Sequence, residues 1–202
     1  MSSSAVSRFA PTVLTGDSSG PVLEQELQGT YFVFNNFTIN ARSSPWLEGW
    51  CSVNGVPFLQ FHDNKATPLG DLGKVVNATR AWTDFTERQN YIGEELRNQI
   101  LNTEEEADKT MDHHIWQVIM ESQYKQGQLS DASWKFIIGG QNSFYFNPVT
   151  KRWGAIHDKA IGIMKKWETN TELAEDLARF SMEVSGYYLK EFSKHWKEIP
   201  SK

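Results

Sequence analysis

Cysteine is nearly absent from this 202-residue sequence, in which Cys51 is the only one. An intramolecular disulfide is therefore excluded, and by cysteine usage alone the chain fits a cytosolic protein or an altered form of a secreted one. The sequence also lacks a stretch of about 20 apolar residues, which a membrane span needs. Basic side chains are not in excess, because 20 of them stand against 25 acidic ones, and this balance argues against nucleic acid as a partner.

Both ends of the sequence are polar. Residues 1–29 mix Ser, Gly, Pro and Thr without a sustained hydrophobic period, so we predict a flexible leader. The leader lacks the apolar run of about 7 to 15 residues that a signal peptide needs, and the last residues carry no hydrophobic tail for a lipid anchor. We therefore expect the chain as given to be a soluble, untethered form.

The first half of the chain, residues 30–108, is predicted to contain strands followed by a helix. Aromatic and β-branched residues mark the strands, at 31–39, 46–53 and 58–62. Asn54-Gly55 is typical of a two-residue hairpin turn. Apolar residues then recur at helical spacing over residues 69–100, with one six-residue gap around Thr79, and they predict a long amphipathic helix. A polar stretch follows and separates the two halves.

The second half, residues 109–202, repeats this plan. Strand patterns occur at 115–120, 132–138, 143–146 and 152–156, and Gly139-Gly140 indicates a hairpin. Two apolar stripes at helical spacing follow. The first comprises Ile156, Ala160, Ile163 and Trp167, and the second comprises Leu173, Leu177, Phe180, Val184, Tyr187, Phe192 and Trp196. Residues 169–171 interrupt the pattern, so a bent or broken helix is predicted.

Strands followed by a helix, twice over, predict an α+β fold. We expect the halves to pair edge to edge into one eight-stranded antiparallel sheet, covered on one face by two long helices. The outward faces of the helices would then form a continuous surface, and recognition is expected there.

Five segments of the chain are distinctive when taken together. They are FTINARSSPWLEGWCSVNGVPFLQF, PLGDLGKVVNATRAWTDFTE, DASWKFIIGG, KRWGAIHDKAIGIMKKWETN and FSMEVSGYYLKEF. These segments resemble the major histocompatibility class I-like ligands of the activating receptor natural killer group 2 member D, in particular the retinoic-acid-early-transcript and minor-histocompatibility subgroup. The resemblance spans about residues 30–196. Within these, the segments around Trp82 and Trp167 look like the family's helix markers.

The resemblance implies an α1α2 platform with no α3 domain and no bound peptide. It implies display on the extracellular face of the plasma membrane, where a homodimeric lectin-like receptor binds the ligand and activates natural killer cells and T cells. The ligand itself is expected to be monomeric.

The sequence departs from the family pattern at the cysteines. Family members usually carry a cysteine in the first strand where Asn35 stands here, which leaves Cys51 without a partner. The disulfide of the second half is also missing, as in the minor-histocompatibility subgroup. The residues in those neighbourhoods are Glu121, Ser122, Val184 and Ser185. The leader matches nothing in the family.

Receptor contacts are expected on the helix faces opposite the apolar stripes. The candidates are Arg80, Thr83, Arg88, Gln89, Tyr91 and Glu94 on the first helix, and Lys166, Glu168, Asn170, Glu172, Asp176 and Arg179 on the second. Tyr91 is singled out because an exposed Tyr is a common interface anchor; the alternative is a side chain lying on the helix flank. Asn36 and Asn77 each begin an N-x-S/T sequon, and glycosylation is expected in a secreted product.

No enzyme motif is present. Asp112-His113-His114 is better explained as a linker than as a metal site, because adjacent His side chains on a strand point to opposite faces. A nucleophile at Cys51 with His62 or His157 would need a thiol of lowered pKa and an orienting third group. We therefore expect no catalysis, no metal and no cofactor.

A carrier of the same fold is the alternative function. Its two helices would stand apart and hold a lipid or another small molecule in an apolar groove. The Trp, Phe and Met residues on both helix stripes argue against this alternative, because they can fill the space between the helices and the sheet.

Overall fold

The computed structural model describes residues 29–106, 114–126 and 128–195. Its centre is one eight-stranded antiparallel sheet, as predicted. The strands are β1 (Thr30–Asn40), β2 (Leu47–Val53), β3 (Val56–His62), β4 (Lys65–Pro68), β5 (Ile115–Lys125), β6 (Gln128–Ile138), β7 (Asn142–Asn147) and β8 (Arg152–Ala155). They lie in the order β4-β3-β2-β1-β5-β6-β7-β8, so β1 and β5 join the two halves of the chain. Residues 1–28 of the predicted leader, and the expected boundary at residues 108 and 109, lie outside the described residues.

Strand β4 is the one strand that the sequence pattern missed. It has four residues and pairs with β3 at the edge of the sheet. A segment this short gives no clear period-two signal, and its last residue, Pro68, argues against a strand in a sequence-based reading. Proline is tolerated here because an edge strand leaves one side of its ladder unpaired.

Both predicted hairpin turns are confirmed. Asn54 and Gly55 have φ angles of 48° and 80°, and Gly139 and Gly140 have φ angles of 58° and 77°. Asn54 and Gly55 form the two-residue loop between β2 and β3, whereas Gly139 and Gly140 begin the three-residue loop 139–141 between β6 and β7. Asn and Gly adopt the left-handed region at low cost.

The first helical region is divided into helix α1 (Gly70–Val76) and helix α2 (Arg80–Glu106). The expectation of one continuous helix is therefore wrong. Thr79 causes the division, because its Oγ1 donates to the carbonyl of Val76 (2.6 Å) and accepts from the backbone N–H of Trp82 (3.2 Å). A hydroxyl that accepts from an N–H in the first turn caps the second helix. This division explains the six-residue gap in the apolar pattern.

The second helical region is broken where the sequence predicts it. A 3₁₀ turn (Asp158–Ala160) precedes helix α3 (Ile161–Glu168) and helix α4 (Thr171–Glu183). The side chain of Asn170, between α3 and α4, accepts from the backbone N–H of Leu173 at 3.1 Å and caps helix α4.

A π-helical turn, Val184–Tyr188, and the short helix α5 (Leu189–Ser193) continue from helix α4. The wider turn shifts the helical register by about one residue. Tyr188 is therefore buried, whereas Tyr187, which the pattern placed on the apolar stripe, is 47% exposed. Ile156 is also misplaced by the pattern, since it follows the end of β8 and is 50% exposed. Trp196 lies outside the described residues.

Helices α2 and α4 pack on the same face of the sheet. The rings of Phe85 on α2 and Phe61 on β3 lie 6.3 Å apart, and those of Phe180 on α4 and Trp134 on β6 lie 5.8 Å apart. Trp134 also donates through Nε1 to Ser181 Oγ at 2.7 Å. The predicted arrangement of two helices over one sheet face is therefore confirmed, and aromatic side chains fill the space between the layers.

Candidate binding surface on the paired helices

An ion pair joins the two long helices near the start of helix α2. The Arg88 guanidinium donates two hydrogen bonds to the Glu183 carboxylate, from Nε to Oε2 at 2.8 Å and from Nη2 to Oε1 at 2.6 Å. The side chains are 35% and 32% exposed. These hydrogen bonds raise the pKa of Arg88 above its ordinary value. A bidentate pair of this kind fixes the distance and orientation of its two helices.

A second polar contact lies one helical turn further along α2. The Tyr91 hydroxyl donates to Asp176 Oδ2 on helix α4 at 3.3 Å, and Arg179 Nη1 lies 3.4 Å from the other oxygen of the same carboxylate. The charge of Asp176 raises the pKa of Tyr91. The ring of Tyr91 remains available at the surface, because the side chain is 46% exposed.

Two further contacts join the other end of helix α2 to the break between α3 and α4. Asn170 Nδ2 donates to Gln99 Oε1 at 2.8 Å, and Trp167 Nε1 donates to Thr103 Oγ1 at 2.9 Å. The partners of residues 88, 91, 99 and 103 are thus residues 183, 176, 170 and 167. The two helical regions therefore run antiparallel and are hydrogen-bonded to each other at both ends.

In the part of the chain that the structure describes, aromatic side chains fill much of the space between the helices and the sheet. Under one end of the helices is an apolar cavity of about 10 Å³, which is about the space of one water molecule. It is lined by Val33, Val53, Phe58, Leu72, Phe85, Val184, Tyr188, Leu189 and Phe192. A wider groove of about 770 Å³ is open to solvent on the outer flank of α4, beside Leu129, Val149 and Met182. The geometry within the described residues does not provide the groove that the carrier alternative needs.

The structure leaves most of the predicted contact residues at the surface. Those that are exposed are Arg80, Thr83, Tyr91, Glu94, Lys166, Glu168, Glu172 and Arg179. Those that are half-buried are Arg88, Asn170 and Asp176, each of which takes part in the cross-helix contacts.

Gln89 does not belong to the outer surface, and the expectation that it does is wrong. Its side chain is fully buried, and its Oε1 accepts from Asn35 Nδ2 at 2.6 Å. Gln89 follows Phe85 by four residues and precedes Ile92 by three, so helical spacing places it on the core-facing side. Its polarity, rather than its position, led to the wrong prediction.

The Asn35–Gln89 pair lies in an incompletely satisfied polar cluster. Asn35 Oδ1 and Gln89 Nε2 are buried and have no hydrogen-bond partner among the described residues. Buried polar groups without partners destabilise a fold. The pair also stands beside Cys51, which lies opposite Asn35 in the β1–β2 register.

Two residues of this surface were not predicted. Glu183, the partner of Arg88, lies seven residues after Asp176, and this spacing on one helix face was a signal that sequence reasoning overlooked. Tyr187 is exposed only because of the π-helical turn, and the sequence gives no sign of that turn.

The two sequon asparagines occupy different environments. Asn77 is exposed, in the turn between helices α1 and α2. Asn36 is half-buried on β1, on the face of the sheet opposite the helices, and its Oδ1 accepts from Gln117 Nε2 at 3.2 Å.

Cys51 is a structural residue rather than a nucleophile. Burial raises the pKa of its thiol well above the ordinary value, and a buried thiol in apolar surroundings is unreactive. His62 pairs with Glu48 on the opposite face of the sheet, and His157 lies at Ser143 on β7, four strands away from Cys51.

Metal-binding residues do not cluster in the part of the chain that the structure describes: no three His, Cys, Asp or Glu side chains lie close enough to hold an ion. Asp112 and His113 of the sequence motif lie outside these residues. Within the described ranges, none of the helices combines the length and apolar composition needed to cross a lipid bilayer.

An eight-stranded antiparallel sheet with two hydrogen-bonded helices on one face is a class I-like recognition platform. The sequence matches, over residues 31–199, the family described as class I histocompatibility antigen, NKG2D ligand, domains 1 and 2. The chain belongs to this family of NKG2D (natural killer group 2 member D) ligands.

Human and mouse relatives agree with this assignment. Human retinoic acid early transcript 1E is 32% identical over 170 residues, which cover 82% of this chain and 64% of the relative. Human UL16-binding protein 1 is 27% identical over 176 residues, which cover 84% of this chain and 72% of the relative. Mouse histocompatibility antigen 60c is 29% identical over 184 residues, which cover 89% of this chain and 80% of the relative. The chain thus spans slightly less than two thirds of the length of retinoic acid early transcript 1E.

Proposed function

We propose that this chain is displayed on the cell surface as a ligand of NKG2D, and that it activates natural killer cells and T cells without presenting a peptide. The observation that carries the proposal is the closure of the platform. Helices α2 and α4 are held together by Arg88–Glu183 and Tyr91–Asp176, and the cavity beneath them has room for about one water molecule. The outer surface of the helices, rather than a groove between them, is therefore the proposed recognition surface.

The chemistry of this surface suits a protein partner. Tyr91 offers an aromatic ring at low entropic cost, as interface anchors do. Charged side chains of both signs surround it, because Arg88, Asp176 and Arg179 lie on the same surface. A homodimeric receptor that contacts both helices would bury a total area of roughly 1,600 Å². The proposed contact residues are the predicted ones without Gln89.

The proposal includes the cellular context. The ligand is monomeric, stands on the extracellular face of the plasma membrane, and carries N-linked glycans at Asn36 and Asn77. It acts by binding alone, without catalysis, metal or cofactor.

Surface plasmon resonance with the receptor ectodomain tests the proposal. Folded chain should bind, and Tyr91→Ala should weaken the binding by about tenfold or more, the effect of losing an interface anchor. Lys135→Ala is the matched control, because Lys135 lies on the opposite face of the sheet and should not matter. Failure of correctly folded wild-type chain to bind, with native near-ultraviolet circular dichroism, would contradict the proposal.

A further inference from the structure

The face of the sheet opposite the helices, called here the open face, carries large apolar side chains that the described residues leave exposed. Phe32 is 54% exposed, Trp50 is 44% exposed and Tyr145 is 41% exposed. In an antiparallel sheet with one solvated face these outward positions are ordinarily polar. Covering such a side chain with another group removes apolar surface from water and is therefore favourable.

One row of cross-strand neighbours crosses the centre of the open face. Asn36 on β1 lies directly opposite Trp50 on β2 and, on its other side, directly opposite Ile119 on β5. The row continues through Lys135 on β6 to Tyr145 on β7. Residues directly opposite in an antiparallel pair share a face, with Cβ atoms about 4.5–5.5 Å apart. Asn36 therefore stands between an exposed indole and an aliphatic side chain.

The local conformation of Asn36 is compatible with modification. The period of two along β1 puts Asn36 and Thr38, the two defining residues of the sequon, on the open face and buries Phe37 between them. Gln117 Nε2 holds the side chain by its oxygen. The amide nitrogen, to which an N-linked glycan attaches, donates no hydrogen bond to the described residues.

We propose that an N-linked glycan on Asn36 lies across the open face and covers Trp50 and Ile119. The faces of an N-acetylglucosamine ring carry C–H groups that pack on an indole, and its rim carries hydroxyl and acetamido groups that stay in water. The glycan thereby removes the apolar centre of the face from water while leaving the molecule soluble. This inference rests on the secretory location in the proposed function.

The modification is the ordinary transfer from a lipid-diphosphate oligosaccharide. A bond forms between Asn36 Nδ2 and the anomeric carbon of the first N-acetylglucosamine, and the bond from that carbon to the diphosphate oxygen breaks. The amide nitrogen loses one proton to a base of the transferase, and the lipid diphosphate leaves with the electron pair of the broken bond. No oxidant or reductant takes part.

The second sequon supplies a matched control within the same chain. Asn77 is exposed in a turn, beside exposed Ala78, and belongs to no strand of the open face. A glycan at Asn77 has no part of the open face to cover. Its removal should therefore leave the properties of that face unchanged.

The first experiment directs the full chain into the secretory pathway of cultured mammalian cells and measures site occupancy by mass spectrometry after enzymatic deglycosylation. Nuclear Overhauser effects from the Asn36-linked N-acetylglucosamine to the Trp50 indole protons are expected, and Trp50→Leu should abolish them. An unmodified Asn36 in protein that is modified at Asn77, or a glycan without contacts to Trp50, would overturn the inference.

The second experiment compares self-association by sedimentation. Thr38→Ala, which removes the sequon, should raise the self-association constant by about tenfold through the uncovered apolar surface. Thr38→Ser, which keeps the sequon, and Asn77→Gln should behave like wild type, and adding Trp50→Ser to Thr38→Ala should reverse the increase. If the glycosylated wild type self-associates as strongly as Thr38→Ala, a second copy rather than the glycan covers the face, and the inference is wrong.

Receptor binding distinguishes this inference from the proposed function. Thr38→Ala should bind the NKG2D ectodomain as wild type does, because the open face and the helices lie on opposite sides of the sheet. If neither wild type nor Thr38→Ala binds the receptor, the proposed function is contradicted. The nuclear Overhauser and sedimentation measurements still decide whether the glycan covers the open face.

Discussion

Arg88 and Glu183 lie 95 residues apart in the sequence, on helices that have four strands between them along the chain, yet their side chains meet in two parallel hydrogen bonds of 2.8 and 2.6 Å. This pair fixes the spacing of the two helices at one end of the platform. Both side chains remain about one third exposed, so solvent screens part of their attraction.

Arg88→Ala should lower the free energy of unfolding by about 1 kcal/mol, the upper range for a partly exposed ion pair of good geometry. The measurement is urea denaturation of a double-mutant cycle with Glu183→Ala. A coupling energy close to zero would show that the pair does not join the helices in solution.

The buried amide pair gives a second prediction. Gln89→Leu should destabilise the fold by about 1–3 kcal/mol, because it leaves the amide of Asn35 buried without a partner. The double variant Asn35→Val with Gln89→Leu should recover most of this loss, since no polar group is then stranded. Denaturant titrations of the three variants check this, and a double variant less stable than the single one would contradict it.

A third prediction concerns the lone cysteine. The backbone hydrogen bonds from Asn54 to Phe32 and from Asn40 to Trp46 place Asn35 and Cys51 in a non-hydrogen-bonded pair, where Cα atoms are about 4.5 Å apart. This spacing suits a disulfide. Asn35→Cys should therefore form a disulfide with Cys51 and be about 3 kcal/mol more stable when oxidised than when reduced, as expected for a loop of this length.

The measurement for Asn35→Cys is the thiol content of the denatured chain together with melting in the presence and absence of reductant. Wild type, which has one buried free thiol, should melt alike under both conditions. Two titratable thiols in the aerated variant would show that the bond does not form.

Tyr188 makes stability depend on alkaline pH. Burial raises the pKa of Tyr188 to about 12 from an ordinary value of 10.0. The folded state favours the neutral phenol of Tyr188 more than the unfolded state does. The resulting contribution to the free energy of unfolding is fully present below pH 10 and is lost as the pH rises toward 12. Urea midpoints should therefore fall across this window, and Tyr188→Phe should reduce the fall. Tyr187→Phe, at the exposed neighbour, should retain it; equal slopes for all three proteins would contradict the assignment to Tyr188.

Much of the fold could be predicted because its signals are local. Asn54-Gly55 sets a hairpin through its own backbone preferences, and the apolar spacing of Leu173, Leu177 and Phe180 defines a helix face without any knowledge of the rest of the chain. The register between β1 and β5, which joins the halves, is not local. Repetition of the plan predicts only that the two halves pair edge to edge, and it does not give the register.

The misplaced residues share a different cause. Gln89 is polar but occupies a core-facing position, where Asn35, 54 residues earlier in the sequence, supplies its hydrogen bond. Tyr187 and Tyr188 exchange roles because a single π-helical turn changes the register, and Lys65–Pro68 becomes a strand only because β3 offers an edge. The deciding features, namely a distant hydrogen-bond partner, a π-helical turn and a free sheet edge, are not visible in the local sequence pattern, although helical spacing alone already places Gln89 on the core-facing side.

The hydrogen bonds across the helices have one more consequence. If the spacing of the two helices depended on a bound guest molecule, the shape of the helix surface would vary with the guest. Here hydrogen bonds between side chains of the chain itself set that spacing. Any partner that binds the helices therefore contacts the same surface on every copy of the protein. The amount of partner bound then depends on the number of copies present, and not on a guest molecule.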